Sequence, residues 1–444
     1  MRTAIIGAGI SGLTTAFYLK KARSDREIHL FDVEPIPGGT MRTDTLNGFH
    51  FEAGGNGFLT NKPDSMQLVK DSGAEHLLLP SSDLARKRYI YTDQLHRLPE
   101  APLPFLATRL IGMGAKLRLA GELFVPKRRE QGEETLQAFG YRRVGKAFTD
   151  VFLDAMTAGI YATTPDRVSV NAAFPLVVRL EQEHGGLFKG MLARRKKQAG
   201  PGGILMSFKG GVGSFIEHLK QSTGAEWHLG APVTEVVRED GGYRVRAGDY
   251  DGVFEQVVLS TQAHAAAAML RGMDAELAER LAAIEYSPVA VIGLGWKQLD
   301  HPLDGFGLLT TTSAKLPVLG VLWDSSIFSD RAPEGSKSVR VMIGGQRNPE
   351  LVQQDEAGLI RTARDGVRIT MGVEQEPDVT FVQRWDNGIP SYRVGHIAAV
   401  DRIFEHLDRY PGLHLGGNAY RGIAMNDCVR NGRELAEKLA QAPG

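Results

Sequence analysis

A glycine-rich turn close to the start of the sequence constrains the fold more than any other feature. Residues 2–6 form a short apolar run that predicts a β-strand, and Gly7 to Gly12 follow with the spacing Gly-x-Gly-x-x-Gly. Residues 13–21 have helical character, and residues 27–31 predict a second strand that ends at Asp32. A strand, this turn, a helix, a strand and an acid, in that order, predict a βαβ unit that binds a dinucleotide.

Each position in the turn has a physical role. Gly7 allows the tight turn, Gly9 lets backbone approach a pyrophosphate, and Gly12 lets the helix pack closely on the strand. The start of the helix offers unpaired N–H groups and a positive dipole end to the phosphates. Asp32 follows Gly12 by 20 residues, the spacing expected of a carboxylate that bonds a ribose hydroxyl. An acid there disfavours a cofactor that carries a 2′-phosphate.

Composition limits the class of protein built around this unit. The chain has 444 residues, which predicts two or three domains. Hydrophobic residues make up 42% and charged residues 23%, as in a folded globular protein, so disorder is excluded as the main state. The 52 basic and 52 acidic residues give a formal net charge of zero, without the basic surplus of a nucleic-acid-binding protein.

Several other kinds of site and segment are not predicted. The single cysteine, Cys428, allows neither an intrachain disulfide nor a thiolate metal cluster, and it favours a reducing cytoplasm. The 12 histidines show no His-Glu-x-x-His spacing, so we expect no metal site. No apolar run approaches the roughly 18 residues of a membrane span. The apolar stretch at the N-terminus stops at Gly7, which is not typical of a signal peptide.

The sequence that follows the βαβ unit separates FAD from NAD. Gly38 and Gly39 come soon after the acid, and glycine-rich residues 48–58 follow them. Together with the first turn and the acid, they resemble the large flavin amine-oxidase superfamily. Further segments resemble the protoporphyrinogen oxidases within it and cover nearly the whole chain in order: 48–58, 87–90, 158–162, 174–175, 180–181, 306–309, 319–322, 330–333, 385–392 and 416–418.

The resemblance implies an α/β fold with three units. They are a discontinuous Rossmann-like FAD-binding domain, an α+β substrate domain and a helical subdomain. The run from 193 to 203, basic and then glycine-rich, has no match in the resemblance and predicts a surface loop. The expected bounds are 1–82, 204–264 and 399–444 for the FAD-binding domain, 83–91 and 265–398 for the substrate domain, and 92–180 for the helical subdomain.

The same resemblance implies that FAD contacts all three parts of its domain. Thr40 stands where many members of the superfamily have an arginine directly after the glycine pair, and Arg42 is the alternative phosphate ligand. The expected cofactor-binding residues are Gly7, Ala8, Gly9, Ile10, Ser11, Gly12, Asp32, Gly39, Thr40, Arg42, Gly54, Gly55, Asn56, Gly57, Val233, Trp385, Gly417, Asn418, Ile423 and Met425.

For the substrate, the resemblance implies an apolar slot with one cation. A porphyrinogen is a large apolar macrocycle with carboxylate tails, and Arg88 can bind a carboxylate through two parallel hydrogen bonds. Leu309, Leu322 and Met342 would clamp the macrocycle; without the resemblance, ordinary core packing is the better explanation of these apolar residues. The other expected substrate-binding residues are Asn56 and Gly159.

The activity implied is oxidation of protoporphyrinogen IX to protoporphyrin IX, six electrons in three two-electron steps, with molecular oxygen as acceptor. The flavin carries this chemistry, so we expect no side chain to act as an essential acid or base. Coproporphyrinogen III is the close alternative; it has four carboxylates rather than two, so further cations among Arg86, Lys87 and Arg97 would favour it. A flavin amine oxidase and a non-enzymatic escort protein are the remaining alternatives.

Residues 102–129 allow two interpretations. Leu106, Leu110, Met113 and Leu117 recur at helical spacing and alternate with basic residues. Such a segment is either an amphipathic helix pair packed on a core or a surface that docks on a membrane. The partners we expect besides porphyrinogen and oxygen are a peripheral contact with the inner face of the cell membrane, a second copy of the chain, and a ferrochelatase that receives the product.

Overall fold

Two large β-sheets with helices packed on them organise the chain. The computed structural model describes residues 1–130, 132–197 and 203–442. In chain order the strands are β1 (Arg2–Ile6), β2 (Glu27–Asp32), β3 (Thr43–Leu46), β4 (Phe49–Glu52), β5 (Phe58–Leu59), β6 (Leu78–Pro80), β7 (Arg88–Tyr91), β8 (Leu95–Arg97), β9 (Leu205–Phe208), β10 (Glu226–Leu229), β11 (Val233–Glu239), β12 (Gly242–Ala247), β13 (Tyr250–Phe254), β14 (Gln256–Leu259), β15 (Tyr286–Trp296), β16 (Gly307–Thr310), β17 (Val318–Leu322), β18 (Lys337–Gly344), β19 (Val379–Pro390) and β20 (Leu413–Leu415).

The helices separate into those that cover the two sheets and a group between residues 102 and 197. In chain order they are α1 (Ile10–Ala22), α2 (Asp64–Asp71), α3 (Pro102–Ala107), α4 (Met113–Ala120), α5 (Leu136–Arg143), α6 (Lys146–Phe148), α7 (Asp154–Tyr161), α8 (Val170–Ala173), α9 (Pro175–His184), α10 (Leu187–Lys197), α11 (Val212–Ser222), α12 (Ala263–Leu270), α13 (Ala275–Ala282), α14 (Asp324–Ile327), α15 (Glu356–Met371), α16 (His396–Leu407) and α17 (Met425–Gln441).

The first sheet, which we call the nucleotide sheet, is parallel and has the strand order β10-β2-β1-β14-β20. Its strands come from three distant stretches of the chain. Ile5 and Val258 pack into the core on one face, with α1, whereas Ala4 and Val257 pack into the core on the other. Burial on both faces explains why these strands are continuously apolar. The predicted α/β fold with a discontinuous nucleotide-binding sheet is confirmed.

The second sheet, the substrate sheet, has seven strands in the order β19-β15-β18-β17-β16-β7-β8. Its pairs are antiparallel except for β7 and β16. One face carries Leu308, Val321 and Val341, which are fully buried in a core that includes Leu359 of α15. The other face turns towards α7 and the nucleotide-binding part of the chain. The domain bounds expected from the sequence stay predictions, because strand pairing alone does not define them.

The group of helices between residues 102 and 197 corrects one expectation. Leu110 is buried, but Leu106, Met113 and Leu117 are 56, 63 and 68% exposed. The interpretation of their helical spacing as core packing is therefore wrong for these three residues, because nothing in the described chain covers the face of α3 and α4 that carries them. Within the described ranges, every helix is too short or too polar to cross a bilayer.

The predicted loop from 193 to 203 is also corrected in part. Residues 193–197 continue α10 as helix instead of starting a loop, because lysine and arginine are good helix formers. Residues 198–202 lie outside the described chain.

Candidate functional site

The glycines of the first turn fall into two physical groups. A Cβ atom on Gly7 would lie 2.7 Å from the Ser260 carbonyl oxygen, and one on Gly12 would lie 2.0 Å from the Gly7 carbonyl oxygen. Both positions are therefore reserved for glycine by the packing of the fold itself. Gly9 is different: the nearest atom to its added Cβ is the Gly38 carbonyl oxygen, 4.0 Å away. Gly9 borders open space at the start of α1, where no side chain caps the helix.

Asp32 stands at the end of β2 beside this turn. Its Oδ2 accepts a hydrogen bond from the Ala8 backbone N–H at 2.7 Å, and its Oδ1 accepts one from the Glu34 N–H at 2.9 Å. Burial raises the pKa of the Asp32 carboxyl. The Asp32 carbonyl oxygen accepts from the Ala231 N–H at 3.1 Å, which brings the start of β11 at Val233 to the same place. The Asp32 carboxylate thus holds the glycine-rich turn in place. It also lies close to the open space beside Gly9.

The second glycine-rich stretch lies against the first. The Gly38 N–H donates to the Ala8 carbonyl oxygen at 2.8 Å, and Gly9 pairs with Gly38 as an isolated bridge. A Cβ on Gly54 would lie 2.3 Å from the Thr40 carbonyl oxygen, whereas Gly55 has no atom within 4 Å of such a Cβ. Gly55 is therefore a second glycine that faces open space.

Three expected cofactor residues of this stretch make contacts of their own. The Trp385 Nε1–H donates to the Ala53 carbonyl oxygen at 2.7 Å, which anchors the loop that leads to Gly55. Arg42 pairs with Asp44 at 3.0 Å and also donates to the side chain of Gln383. The Arg42 guanidinium is therefore already bound by two side chains of the protein. Thr40 carries no charge, so only its backbone can take part in binding a phosphate.

A third stretch completes the cradle from the C-terminal part of the chain. The Tyr392 hydroxyl donates to the Asn418 carbonyl oxygen and accepts from the Gly422 N–H, each at 2.7 Å. Burial raises the pKa of Tyr392 far above its usual value, so the hydroxyl stays protonated. Gly417 has φ +106°, and the chain then passes through Ile423 into α17, which begins at Met425 without a side-chain cap.

The glycines that face open space show where a flavin dinucleotide has room to bind. Gly9 and Gly55 front unfilled space, while Gly7, Gly12 and Gly54 are tightly packed behind it. Backbone N–H groups at the starts of α1 and α17 are typical partners for the phosphates and for negative charge. Gly9 at the start of α1 and Gly55 in the second stretch therefore have room beside them for an extended cofactor.

The expected substrate residues meet on one face of the substrate sheet. Strand register places Arg88 beside Gly307, Gly307 beside Leu322, and Leu322 beside Arg340 in one row. The next row runs from Ile90 through Leu309 and Gly320 to Met342. Residues paired in this way project from the same face of a sheet. Arg88, Leu309, Leu322 and Met342 thus share one face although 254 positions separate the first from the last.

Burial distinguishes this face from ordinary core. Leu309, Leu322 and Met342 are half-buried, whereas Leu308 and Val321 on the opposite face are fully buried. A Cβ on Gly159 of α7 would lie 2.8 Å from Leu309 Cδ2, so α7 lies directly against the Leu309 side chain here. The three apolar side chains lie on a partly exposed face of the sheet, which we call the slot.

Arg88 lies at one end of this slot and differs from the cations around it. Arg86 pairs with Asp83 at 3.4 Å, Lys87 with Asp304 at 2.5 Å, and Arg97 with Glu100 at 2.8 Å. Within the described parts of the chain, Arg88 has no carboxylate within 4.0 Å; its guanidinium lies 5.3 Å from the centre of the Phe306 ring. Arg97 pairs with Tyr89 across β7 and β8 and so faces the other side of the sheet.

A buried polar cluster that was not predicted holds the loop between cradle and slot. Arg340 donates to the Glu52 and Gly54 carbonyl oxygens at 3.0 and 2.7 Å and to the side chain of Asn56. Its Nε lies 3.2 Å from Asp324, and both side chains are 2% exposed. In the sequence, the sign of this cluster was a single arginine within the largely apolar strand β18. The sequence pattern does not show which residues contact that arginine. Asn56 is therefore held next to the site by its hydrogen bond with Arg340.

Glu52 and Arg331 form a second buried pair that the sequence did not predict. Both side chains are fully buried, and their charged atoms lie 2.8 Å apart. Glu52 also accepts from the Thr43 hydroxyl at 2.6 Å and from the Val212 N–H at 3.0 Å. The pair fixes the end of β4, immediately before the Gly54–Gly57 loop.

A glycine-rich turn at the start of a helix on a parallel sheet, next to a partly exposed apolar face on an antiparallel sheet, is typical of flavoproteins. A family model described as flavin containing amine oxidoreductase matches residues 10–440. The chain belongs to this family, and a flavin is its cofactor.

Individual relatives share the whole length of the chain. Coproporphyrinogen III oxidase of Bacillus subtilis (strain 168) is 28% identical over 97% of this chain and 96% of its own. Protoporphyrinogen oxidase 1 of Arabidopsis thaliana, a chloroplast protein, is 29% identical over 97% of this chain and 86% of its own. A crystal structure from Exiguobacterium sp. 255-15, provisionally assigned as a protoporphyrinogen oxidase, is 26% identical, covers 99% of this chain and 98% of its own, and has a TM-score of 0.88.

Proposed function

We propose that the protein is a porphyrinogen oxidase that uses FAD and molecular oxygen, with protoporphyrinogen IX as its substrate. The observation that carries this proposal is the apolar slot next to the glycine cradle, with an arginine at its end that has no carboxylate partner among the described residues. The relatives named above, all matched over nearly their full length, support the reaction class.

The cradle supports FAD as the flavin. Gly9 and the start of α1 would hold the pyrophosphate, Asp32 the ribose, and Val233 the adenine end. The Gly54–Gly57 loop and Asn418 would border the ring. A bound FAD supplies electron acceptance in two-electron steps, so three oxygen molecules would be reduced to hydrogen peroxide for each porphyrin formed.

The protein's own contribution is to bind and orient the substrate. The half-buried Leu309, Leu322 and Met342 offer the macrocycle an apolar wall that excludes water. Arg88 would bind one propionate and so fix the orientation of the macrocycle relative to the cradle. No titratable side chain of the slot is needed for proton removal in this arrangement.

Coproporphyrinogen III is the second candidate, because the relative from Bacillus subtilis is named for it. The geometry favours the substrate with fewer carboxylates. Arg86, Lys87 and Arg97 each have a carboxylate partner, which leaves Arg88 as the free cation among these four.

Turnover of the two porphyrinogens tests the proposal. We expect the fluorescence of porphyrin to appear with protoporphyrinogen IX in air and to be absent without oxygen or another acceptor. A higher kcat/KM for coproporphyrinogen III would transfer the assignment to the second candidate. Turnover of simple amines with no turnover of either porphyrinogen would identify an amine oxidase. A protein that cannot take up FAD would favour the escort alternative.

Arg88→Ala tests the cation of the slot. We expect the KM for protoporphyrinogen IX to rise about tenfold to a hundredfold, since a charge-assisted hydrogen bond contributes about 1.5–3 kcal/mol. Flavin content should not change, because Arg88 lies on the sheet rather than in the cradle. Steady-state kinetics and the absorbance of the flavin measure the two effects.

Two variants serve as controls for this prediction. Arg88→Lys should give an intermediate KM, because an ammonium keeps the charge but not the planar pair of donors. Arg86→Ala should leave the KM unchanged, since its guanidinium pairs with Asp83 on the surface. Equal KM values for Arg88→Ala and the unmodified protein would remove Arg88 from the site.

We also propose a peripheral contact between α3–α4 and the inner face of the cell membrane. Leu103, Leu117 and Phe124 are 79, 68 and 87% exposed, and the exposed Arg109 and Lys127 lie among them in the sequence. Apolar side chains with basic neighbours favour the surface of an anionic bilayer. A second copy of the chain and a ferrochelatase as partners stay predictions.

Phe124→Glu is expected to weaken binding to anionic vesicles at least about tenfold, because burial of one aromatic side chain contributes about 1.5–3 kcal/mol. Cosedimentation with phosphatidylglycerol vesicles measures it. Ile369→Glu is the control, since Ile369 is 41% exposed on α15, away from this face. Absence of vesicle binding by the unmodified protein contradicts the proposed contact.

A further inference from the structure

Two histidines and a glutamate meet on the outer edge of the nucleotide sheet. His29 lies on β2, and Glu226 and His228 lie on the neighbouring strand β10. The register pairs Glu226 with His29, so all three side chains project from the same face. His29 Nδ1 and His228 Nε2 are 3.0 Å apart. The Glu226 carboxylate lies 3.7 Å from the first nitrogen and 3.4 Å from the second.

A further carboxylate orients His29 towards this group. Glu27 Oε1 lies 2.7 Å from His29 Nε2. A carboxylate oxygen accepts but does not donate, so Glu27 favours the tautomer of His29 that carries its proton on Nε2, with the Nδ1 lone pair directed to the space shared with His228 and Glu226. The Arg2 guanidinium also lies 3.4 Å from this Nε2. Glu27 is itself held by Arg2, whose Nε donates to it at 2.9 Å. Metal-bound histidines commonly have such a carboxylate on their second nitrogen.

Distances, charge and surroundings agree with a bound cation. In a tetrahedral zinc site with ligand distances of about 2.0–2.1 Å, neighbouring ligand atoms are about 3.3 Å apart. The two histidine nitrogens are 3.0 Å apart, and the Glu226 carboxylate approaches each of them with a different oxygen, Oε1 at 3.4 Å from His228 Nε2 and Oε2 at 3.7 Å from His29 Nδ1. Two carboxylates against the one guanidinium of Arg2 leave the cluster negative. The aromatic rings of Phe31, Tyr250 and Phe254 lie against His29, which is 2% exposed, and keep water from one side of the cluster.

We infer that His29, His228 and Glu226 form a site for a divalent transition metal of the zinc type, with water as the fourth ligand. The metal would join β2 to β10 three residues before Asp32, outside the flavin cradle and the substrate slot. This replaces the sequence-based expectation of no metal site, which relied on short spacings. The ligands are at positions 29, 226 and 228 and become neighbours only through the pairing of two parallel strands.

Titration of the flavin-loaded protein with Zn²⁺, followed by calorimetry and by metal analysis after dialysis, tests the inference. We expect about one tightly bound Zn²⁺ per chain. Glu27→Gln, which removes the orienting carboxylate, should weaken the Kd about tenfold to a hundredfold. Glu226→Gln and His228→Ala should weaken it at least as much. Glu226 is exposed, so its variant keeps the test valid even if His228→Ala folds poorly.

A second histidine pair gives a matched control. The rings of His76 and His218 are 5.8 Å apart, but their nitrogens contact the carbonyl oxygens of Gly73 and Ser72. His76→Ala should therefore leave zinc binding unchanged. Failure of the unmodified protein to retain Zn²⁺, or equal retention by Glu226→Gln, would overturn the inference and leave a hydrogen-bonded pair of neutral histidines.

Discussion

Gly9→Val should abolish stable flavin binding while leaving the fold intact. Gly9 has φ −71° and ψ 174°, which any residue can adopt, and an added Cβ meets no atom closer than 4.0 Å. The new side chain therefore fits the protein but fills the space where we expect the pyrophosphate. We predict that the Kd for FAD rises at least about a hundredfold, equivalent to about 2.7 kcal/mol. The ratio of flavin absorbance to protein in the purified variant measures it.

Gly112→Val is a closely matched control for this prediction. Gly112 also precedes a helix, with φ −69° and ψ 166°, and an added Cβ there has no atom within 4 Å. The same substitution in the same backbone conformation should leave flavin content unchanged. Full retention of flavin by Gly9→Val would show that the cofactor does not pass this glycine, and the assignment of the cradle would then fail.

Arg331→Met should cost about 3–5 kcal/mol of folding free energy. Both Arg331 and Glu52 are fully buried, and removal of one partner leaves the other charge unpaired in a medium of low polarity. Methionine is of similar length and keeps most of the packing. Equilibrium unfolding in urea, followed by circular dichroism and by flavin fluorescence, measures the loss and shows whether the Gly54–Gly57 loop is disturbed first.

The control pair lies on the surface of α15. Arg368 and Asp365 are 3.3 Å apart, with side chains 53 and 60% exposed. Arg368→Met should change stability by no more than about 1 kcal/mol, because water screens exposed pairs. Adding Glu52→Gln to Arg331→Met should restore part of the lost stability, because the double variant buries no unpaired charge. A loss below about 1 kcal/mol in Arg331→Met would contradict the role assigned to the pair.

Local sequence patterns were sufficient for much of the nucleotide sheet. Residues 2–6 and 27–31 were expected as strands and residues 13–21 as a helix, and the structure has Arg2–Ile6, Glu27–Asp32 and Ile10–Ala22. These elements follow from apolar periodicity and from glycines at their ends, which act over a few residues. The expected substrate residues came from the resemblance to a known family, and strand register places Arg88, Leu309, Leu322 and Met342 on one face.

The remaining features depend on contacts between distant residues. No local pattern indicates that Arg340 faces Asn56 or that Glu52 pairs with Arg331, because a charged residue is more often exposed than buried. The helical spacing of Leu106, Met113 and Leu117 was misinterpreted for a related reason. Periodicity shows that a helix has an apolar face but does not show what covers that face.

The three-part origin of the nucleotide sheet has a consequence for the order of events during synthesis. β1 pairs with β14, and β14 pairs with β20. The sheet that begins near residue 3 is therefore incomplete until residues near 256 and 413 have been synthesised. Arg23 and Arg26 of the first βαβ unit donate to the carbonyl oxygens of Ala440 and Ala442. Pairings over such long separations form late in folding. The N-terminal unit can therefore complete its contacts only after residues beyond 440 have been synthesised, so the segment made first is also the one that stays incompletely packed for longest.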